Sequence, residues 1–170
     1  MNLRLVEFGK FNPVEEWNFT HDFKGNESFK NDCYECDFQT YLNEIIPQTQ
    51  NEAKGIGLAE GYVPQTSYYL IDDQTIVGIF KVRHYCNEET LHNGTGHIGF
   101  AIKEQYRNQG YGKKGLALAI EELRKMQDYR PQENIIMGCD KDNIASLKVQ
   151  QANGATIIEE TENRFVTEIK

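Results

Sequence analysis

Over residues 1–8, Leu3, Leu5 and Glu7 alternate with Val6 and Phe8, a two-residue period that predicts a strand. After Pro64 the chain reads TSYYLID and then TIVGIFKVRH, two β-rich runs broken at Asp72, Asp73 and Gln74, which predicts a hairpin. A polar loop, CNEETLHNGTG, leads to HIGFAI, where Ile98, Phe100 and Ile102 point one way and His97, Gly99 and Ala101 the other. From Gly110 onward, Leu116, Ile120, Leu123 and Met126 recur at helical spacing and place one face of a helix that stops before Pro131. The run NIIMGCD is almost continuously apolar, as a strand covered on both faces would be. Asn143 then caps a helix whose stripe is Ile144, Leu147 and Gln151 and whose stop is Gly154; ATIIEE and RFVTEI form a closing hairpin.

Residues 10–61 are less legible. They are polar, acidic and aromatic, with a helix expected over residues 39–54 and short or irregular pieces before it. The aromatics Phe11, Trp17, Phe19, Phe23 and Phe29 are expected in the core. Together the elements predict a mixed α/β (α+β) fold of about six or seven strands, mostly antiparallel, with one central β-α-β crossover.

Composition narrows the function classes. A chain of 170 residues, 39% hydrophobic, suits one domain with its own core. With 26 acidic against 18 basic side chains and a formal charge of -8, nucleic acid and anionic membranes are poor partners. No stretch reaches the roughly 20 apolar residues of a membrane span, and the N-terminus lacks a signal-peptide core, so a cytoplasmic protein is expected. Cys33 and Cys36 form a C-x-x-C, but no second pair or His pair stands at metal spacing, so they read as ordinary reduced thiols and no metal is expected.

The chemistry concentrates in YRNQGYGKKG, where Gly110, Gly112 and Gly115 match G-x-G-x-x-G. A dinucleotide fold fits poorly: seven residues, KEQYRNQ, separate Ile102 from Gly110, and only 30 residues follow Asp140. A Walker loop would need G-K-[ST], and a kinase glycine loop would need a strand next. What remains is a strand, a glycine-rich loop and a helix N-terminus, whose outward N–H groups suit a pyrophosphate, with Lys113 and Lys114 at its mouth.

These residues resemble the GNAT-type N-acetyltransferases, whose acyl-CoA signature [QR]-x-x-G-x-[GA] is filled by Arg107, Gly110 and Gly112. GHIGF before the signature and DKDNIAS after it resemble flanking blocks of a bacterial branch of that family. The resemblance implies one acetyltransferase domain over residues 1–170, with residues 1–62 on the acceptor side and 66–170 as the acyl-CoA-binding core. It also implies helices on both faces of the sheet and two splayed parallel strands that admit pantetheine.

Acetyl-CoA would be the co-substrate and a primary amine of a small molecule or protein the acceptor, joined by direct attack in a ternary complex; a homodimer is compatible with this reading. By position, Phe100, Ala101 and Ile102 would line the pantetheine, with the Phe100 N–H as oxyanion donor, an interaction worth about 3 kcal/mol to a transition state. Arg107, Asn108, Gln109, Gly110, Tyr111, Gly112 and Lys113 would hold the pyrophosphate, with Asn143 and Ser146 opposite. Two departures stand out: the family's frequent catalytic Glu falls at Gly96 and its Tyr acid at Gln150. His84, with Arg83 beside it, is then the first candidate base and His97 the second. Glu60 and Tyr62 are candidates for the acceptor side. The departures also motivate an alternative, an acyl-CoA-binding regulatory module without catalysis.

Overall fold

The computed structural model describes residues 1–26 and 29–170. Its central sheet has the order β1-β4-β5-β6, all antiparallel: Leu3–Glu7 (β1), Gln65–Asp72 (β4), Thr75–Arg83 (β5) and Ile98–Ile102 (β6). A second sheet, β7-β9-β8, joins Ile135–Asp140 (β7), Arg164–Ile169 (β9) and Thr156–Glu160 (β8). Two short strands, Gly25–Asn26 (β2) and Phe29–Lys30 (β3), pair with each other. The mixed α/β architecture matches the sequence expectation, and the two larger sheets together hold the seven strands that the alternation patterns mark.

Alternation assigns the two faces of the central sheet. Tyr68, Leu70, Phe80, Val82 and Ile98 bury one face under Tyr111–Lys125 (α5), which packs through Leu116, Ala119, Ile120 and Leu123. Each large side chain fully buried there stabilises the fold by about 1.5–3 kcal/mol. Gly115 lets the helix approach closely: a Cβ there would lie 2.5 Å from the Phe80 ring and 2.8 Å from Leu70. The other face carries Tyr69, Ile71, Ile79 and Ala101 against Phe8, Phe19, Phe23 and Phe29. Toward the Arg83 end this second face turns polar, with Gln65, Ser67, Lys81 and Arg83 in register on neighbouring strands.

The layer over that second face differs most from expectation. Pro13–His21 (α1) is a regular helix, capped by the Asn12 side chain, which accepts from the Val14 and Glu15 N–H groups. The helix expected at 39–54 is interrupted: Phe38–Thr40 (α2) and Ile46–Ala53 (α3) flank a π-helical turn at Tyr41–Ile45, marked by the Ile46 N–H bonding the Tyr41 carbonyl. Pro47 supplies the reason, since it has no N–H to give the preceding turn and its ring crowds that turn's carbonyl.

Two further helices complete the chain: Glu88–His92 (α4), held by a capping box between Asn87 and Thr90, and Ile144–Gln151 (α6). The α6 stripe departs from expectation, because Leu147 and Gln150 are buried while Ile144 and Gln151 are exposed. Among the described residues no helix is long and apolar enough to cross a membrane.

Candidate functional site

β6 and β7 touch near their beginnings and then separate. The His97 N–H donates to the Ile136 carbonyl at 2.7 Å, and the Ile136 N–H donates back to His97 Nδ1 at 3.0 Å. The isolated bridge at this point, Gly96 with Met137, is locally antiparallel because the chain turns at Gly96, which has φ +60°. From there both strands run away from the contact and diverge.

On its other side β6 is fully engaged with β5. The Arg83 N–H bonds the His97 carbonyl at 2.8 Å and the Lys103 N–H bonds the Val77 carbonyl at 3.0 Å. The ladder therefore uses alternate residues and turns the main-chain groups of Ile98, Phe100 and Ile102 toward the divergence. There a cleft of about 190 Å³ opens, bordered by Ile98, Gly99 and Phe100 on one strand, Gly138 and Cys139 on the other, and Asn143, Ser146 and Gln150 of the α6 region. Two glycines permit the close approach at its narrow end: a Cβ on Gly96 would overlap the Ile136 carbonyl, and one on Gly138 the Gly94 carbonyl.

The glycine-rich loop lies beyond the far end of β6. Asn108 (φ 61°) and Gly110 (φ 84°) both take the left-handed conformation, and Gly110 begins α5 without any side chain to cap it. The Tyr111, Gly112 and Lys113 N–H groups therefore lack intrahelical partners at the positive end of the helix dipole. Gly112 brings this turn against β6 and α6, where a Cβ would meet Val149 at 3.2 Å and Ile102 and Phe100 at 3.8 Å. Arg107 Nε folds back to the Ile102 carbonyl at 3.1 Å, while the Tyr111 hydroxyl leaves the loop to donate to Asp72 at 2.8 Å. Asn143 accepts from the Ser146 N–H at 3.1 Å, and the Ser146 hydroxyl accepts from Gln150 at 3.2 Å.

A second cleft, about 320 Å³, adjoins the first and shares Lys81, Arg83 and Thr95 with it. Its floor is the polar end of β4 and β5, and its walls come from Asp32, from Glu52 at the end of α3, from Leu58 and Gly61 to Val63, and from α4 with the loop after it. Lys81 pairs with Asp32 at 3.4 Å and lies 5.3 Å over the Phe29 ring. A smaller recess of about 50 Å³ continues from this cleft under α3, past Cys33 and Ile45.

The structure brings together only part of what the sequence singled out. Arg83 lies where the two clefts meet and Tyr62 stands exposed at the rim of the second, whereas Glu60 is outside both. His84, the first candidate base, is corrected by strand geometry: it points to the opposite face from Arg83, where Nε2 bonds the Thr66 hydroxyl at 2.9 Å and Nδ1 sits 3.7 Å from Asp128. His97 is also outside the clefts, 2% exposed, with Nδ1 accepting from Ile136 and lying 3.3 Å from the Cys86 sulfur. Burial lowers the pKa of both rings, offset in part for His84 by Asp128. Gln150 is committed to structure, its oxygen accepting from Thr167 at 2.6 Å. Cys33 and Cys36 are free thiols; burial pushes Cys33 up to about 12 and raises Cys36 as well. Among the described residues no group of three or more His, Cys, Asp or Glu side chains could hold a metal ion.

Sequence reasoning missed Asp32, Glu52 and Glu89, which are ordinary acidic letters in separate polar stretches. It also missed Glu16, fully buried in α1, which accepts from the Gly9 and Phe11 N–H groups at 2.8 Å each and from the Tyr41 hydroxyl at 2.5 Å. Tyr41 in turn bonds Tyr69 at 2.9 Å, and burial raises both phenols. Only the preceding Asn12-Pro13 cap pattern could have signalled that a helix starts here.

A sheet that parts beside a glycine-rich helix N-terminus defines an acyl-CoA-binding α/β fold. The Acetyltransferase (GNAT) domain family matches residues 32–156. The chain belongs to this family of acetyltransferases, which use acetyl-CoA as acyl donor. No curated protein sequence matches it. Among solved structures it is similar to the Campylobacter jejuni N-acetyltransferase PseH in complex with acetyl coenzyme A (TM-score 0.61, 16% identity, 99% of this chain and 98% of that one covered). It is also similar to the ribosomal-protein-S5-alanine acetyltransferase from Vibrio fischeri (TM-score 0.65, 15% identity, 98% and 91% covered). A third is an acetyltransferase of the GNAT family from Streptococcus pneumoniae (TM-score 0.60, 16% identity, 99% of each chain covered).

Proposed function

We propose that this protein transfers the acetyl group of acetyl-CoA to a primary amine of a small molecule or protein by direct attack in a ternary complex. The observation that carries this reading is the edge of β6 that pairs with no strand beyond His97 and faces a cleft continuing into a second, charged cleft. The pantetheine arm takes the ladder positions of Phe100 and Ile102, and the pyrophosphate sits on the N–H groups from Gln109 to Lys113. Asn143 and Ser146 contact the cofactor from the α6 side. The amine nitrogen attacks the thioester carbon, the oxyanion receives the Phe100 N–H, and the thiolate leaves, taking a proton from water in the open cleft. Proton removal from the ammonium is assigned to water between Glu52 and Glu89, because Gly96 has no room for a side chain and both histidines face elsewhere. The acetyl coenzyme A complex of the Campylobacter relative supports the donor, and its use of an intracellular metabolite makes a cytoplasmic setting part of the reading.

Purified protein with acetyl-CoA and a library of primary amines, including peptides with free N-termini, is expected to release CoA thiol in an acceptor-dependent manner. The empty Gly96 and structural Gln150 positions favour one other reading, a binding module without catalysis. Tight acetyl-CoA binding with no thiol release for any amine would select it.

A further inference from the structure

Arg83 closes β5 at the junction of the two clefts, and its side chain is half-buried. Its Nη1 donates to the Gly96 carbonyl at 3.1 Å, and among the described residues no carboxylate lies within ion-pair distance of it. Lys81, two residues earlier on the same face, has Asp32. A guanidinium carries five N–H donors, so most of the Arg83 fork is uncommitted, in surroundings whose burial works against the charged form. A planar fork of this kind is matched to a carboxylate or phosphate in bidentate geometry.

The phosphates of the donor are out of its reach. Arg83 lies beside His97, at the start of β6, whereas the glycine-rich loop follows the strand's end, about 20 Å away at the rise of an extended chain. The group that meets Arg83 therefore belongs to the acceptor. Glu52 and Glu89 border the same cleft and suit an ammonium. We infer that the acceptor is an amine that also carries an anionic group, a carboxylate or a phosphate, and that Arg83 receives that group while the carboxylate wall receives the amine. This rests on the acetyl-transfer reading and narrows its acceptor to a zwitterionic class.

The test uses matched acceptors that differ only in the anion: α-amino acids against their carboxamides, and phosphoethanolamine against ethanolamine. Calorimetry on the full chain saturated with CoA reads acceptor binding, and thiol release from acetyl-CoA reads transfer separately. At least one anionic member is expected to bind about tenfold or more tighter than its neutral partner, consistent with a charged hydrogen bond. Which pair discriminates separates carboxylate from phosphate. Arg83→Gln should remove that preference and Arg83→Lys should keep part of it, with melting temperatures checking that each variant is folded. Equal binding of charged and neutral members, no binding of any, or a preference that survives in folded Arg83→Gln would overturn the inference. Turnover without discrimination would do so while leaving acetyl transfer standing; discrimination in binding without turnover would do the reverse.

Discussion

The two clefts meet at Arg83 but are built from different material. The proposed donor side is built largely of main chain: the ladder positions of β6 that face no strand, the left-handed turns at Asn108 and Gly110, and the uncapped first turn of α5. The second cleft, the proposed acceptor side, is lined by side chains gathered from distant segments, among them Asp32, Glu52, Lys81, Arg83 and Glu89. A cofactor common to many proteins can be held by groups every residue possesses, provided glycine admits it. A particular acceptor needs particular side chains. Substitutions should therefore separate the two, with glycine changes striking the donor side or the fold and side-chain changes the acceptor side.

The largest effect is expected from Gly96→Glu, which supplies the carboxylate that the sequence resemblance would lead one to expect at this position. Here it would force a side chain onto a residue at φ +60° and into the Ile136 carbonyl, at the contact joining the two sheets. A loss of about 3 kcal/mol or more in denaturant unfolding, with no gain in activity, is expected. Glu16→Ala comes next. Removing the carboxylate strands two backbone N–H groups and the Tyr41 hydroxyl in a buried place, and a loss of about 2–4 kcal/mol should accompany a loosened acceptor wall. On the donor side, Gly112→Val crowds Val149, Ile102 and Phe100; the acetyl-CoA dissociation constant should rise about tenfold or more by calorimetry, with acceptor binding little changed.

Smaller effects come from the histidines. Burial holds His84 and His97 below their ordinary value of 6.5, so the folded chain resists protons that the unfolded chain accepts. Stability should be complete above about pH 6.5 and decline as pH falls from there to the depressed folded values. Melting temperatures between pH 7.5 and 5 should show this slope, and His97→Asn should flatten it. The smallest effect is expected of His84→Ala, whose kcat/KM at pH 7.5 should stay within about twofold of the parent, because His84 faces away from both clefts. A tenfold loss there would return His84 to the chemistry.

The same contrast explains what could be read from the letters. The proposed donor side was legible because its glycines cluster at a strand-to-helix junction and the apolar period of Leu116, Ile120 and Leu123 places α5 directly after it. The acceptor layer was not, because α1 has almost no apolar stripe and buries a glutamate, and because Pro47 widens the next helix into a π turn. Arg83 and His84 show the limit of adjacency: neighbours on a strand point to opposite faces, so only one of the two could line the cleft. Gly96 shows another limit. A missing carboxylate can be noticed in a sequence, but a backbone that excludes one can be seen only in three dimensions.

The divergence of β6 and β7 also bears on mechanics. Among the described residues, one bridge and its neighbouring hydrogen bonds join the main chains of β6 and β7, and beyond that contact the two sheets are held together by side-chain packing around α5. A donor molecule lying between them would act as a brace. Ligand at a hundredfold excess over its dissociation constant adds about 2.7 kcal/mol of stability, and the protection should concentrate in amides facing the gap. Hydrogen exchange at Phe100 and Ile102 should then slow on acetyl-CoA addition more than exchange within the β4–β5 ladder, so that stiffness itself reports the loaded state.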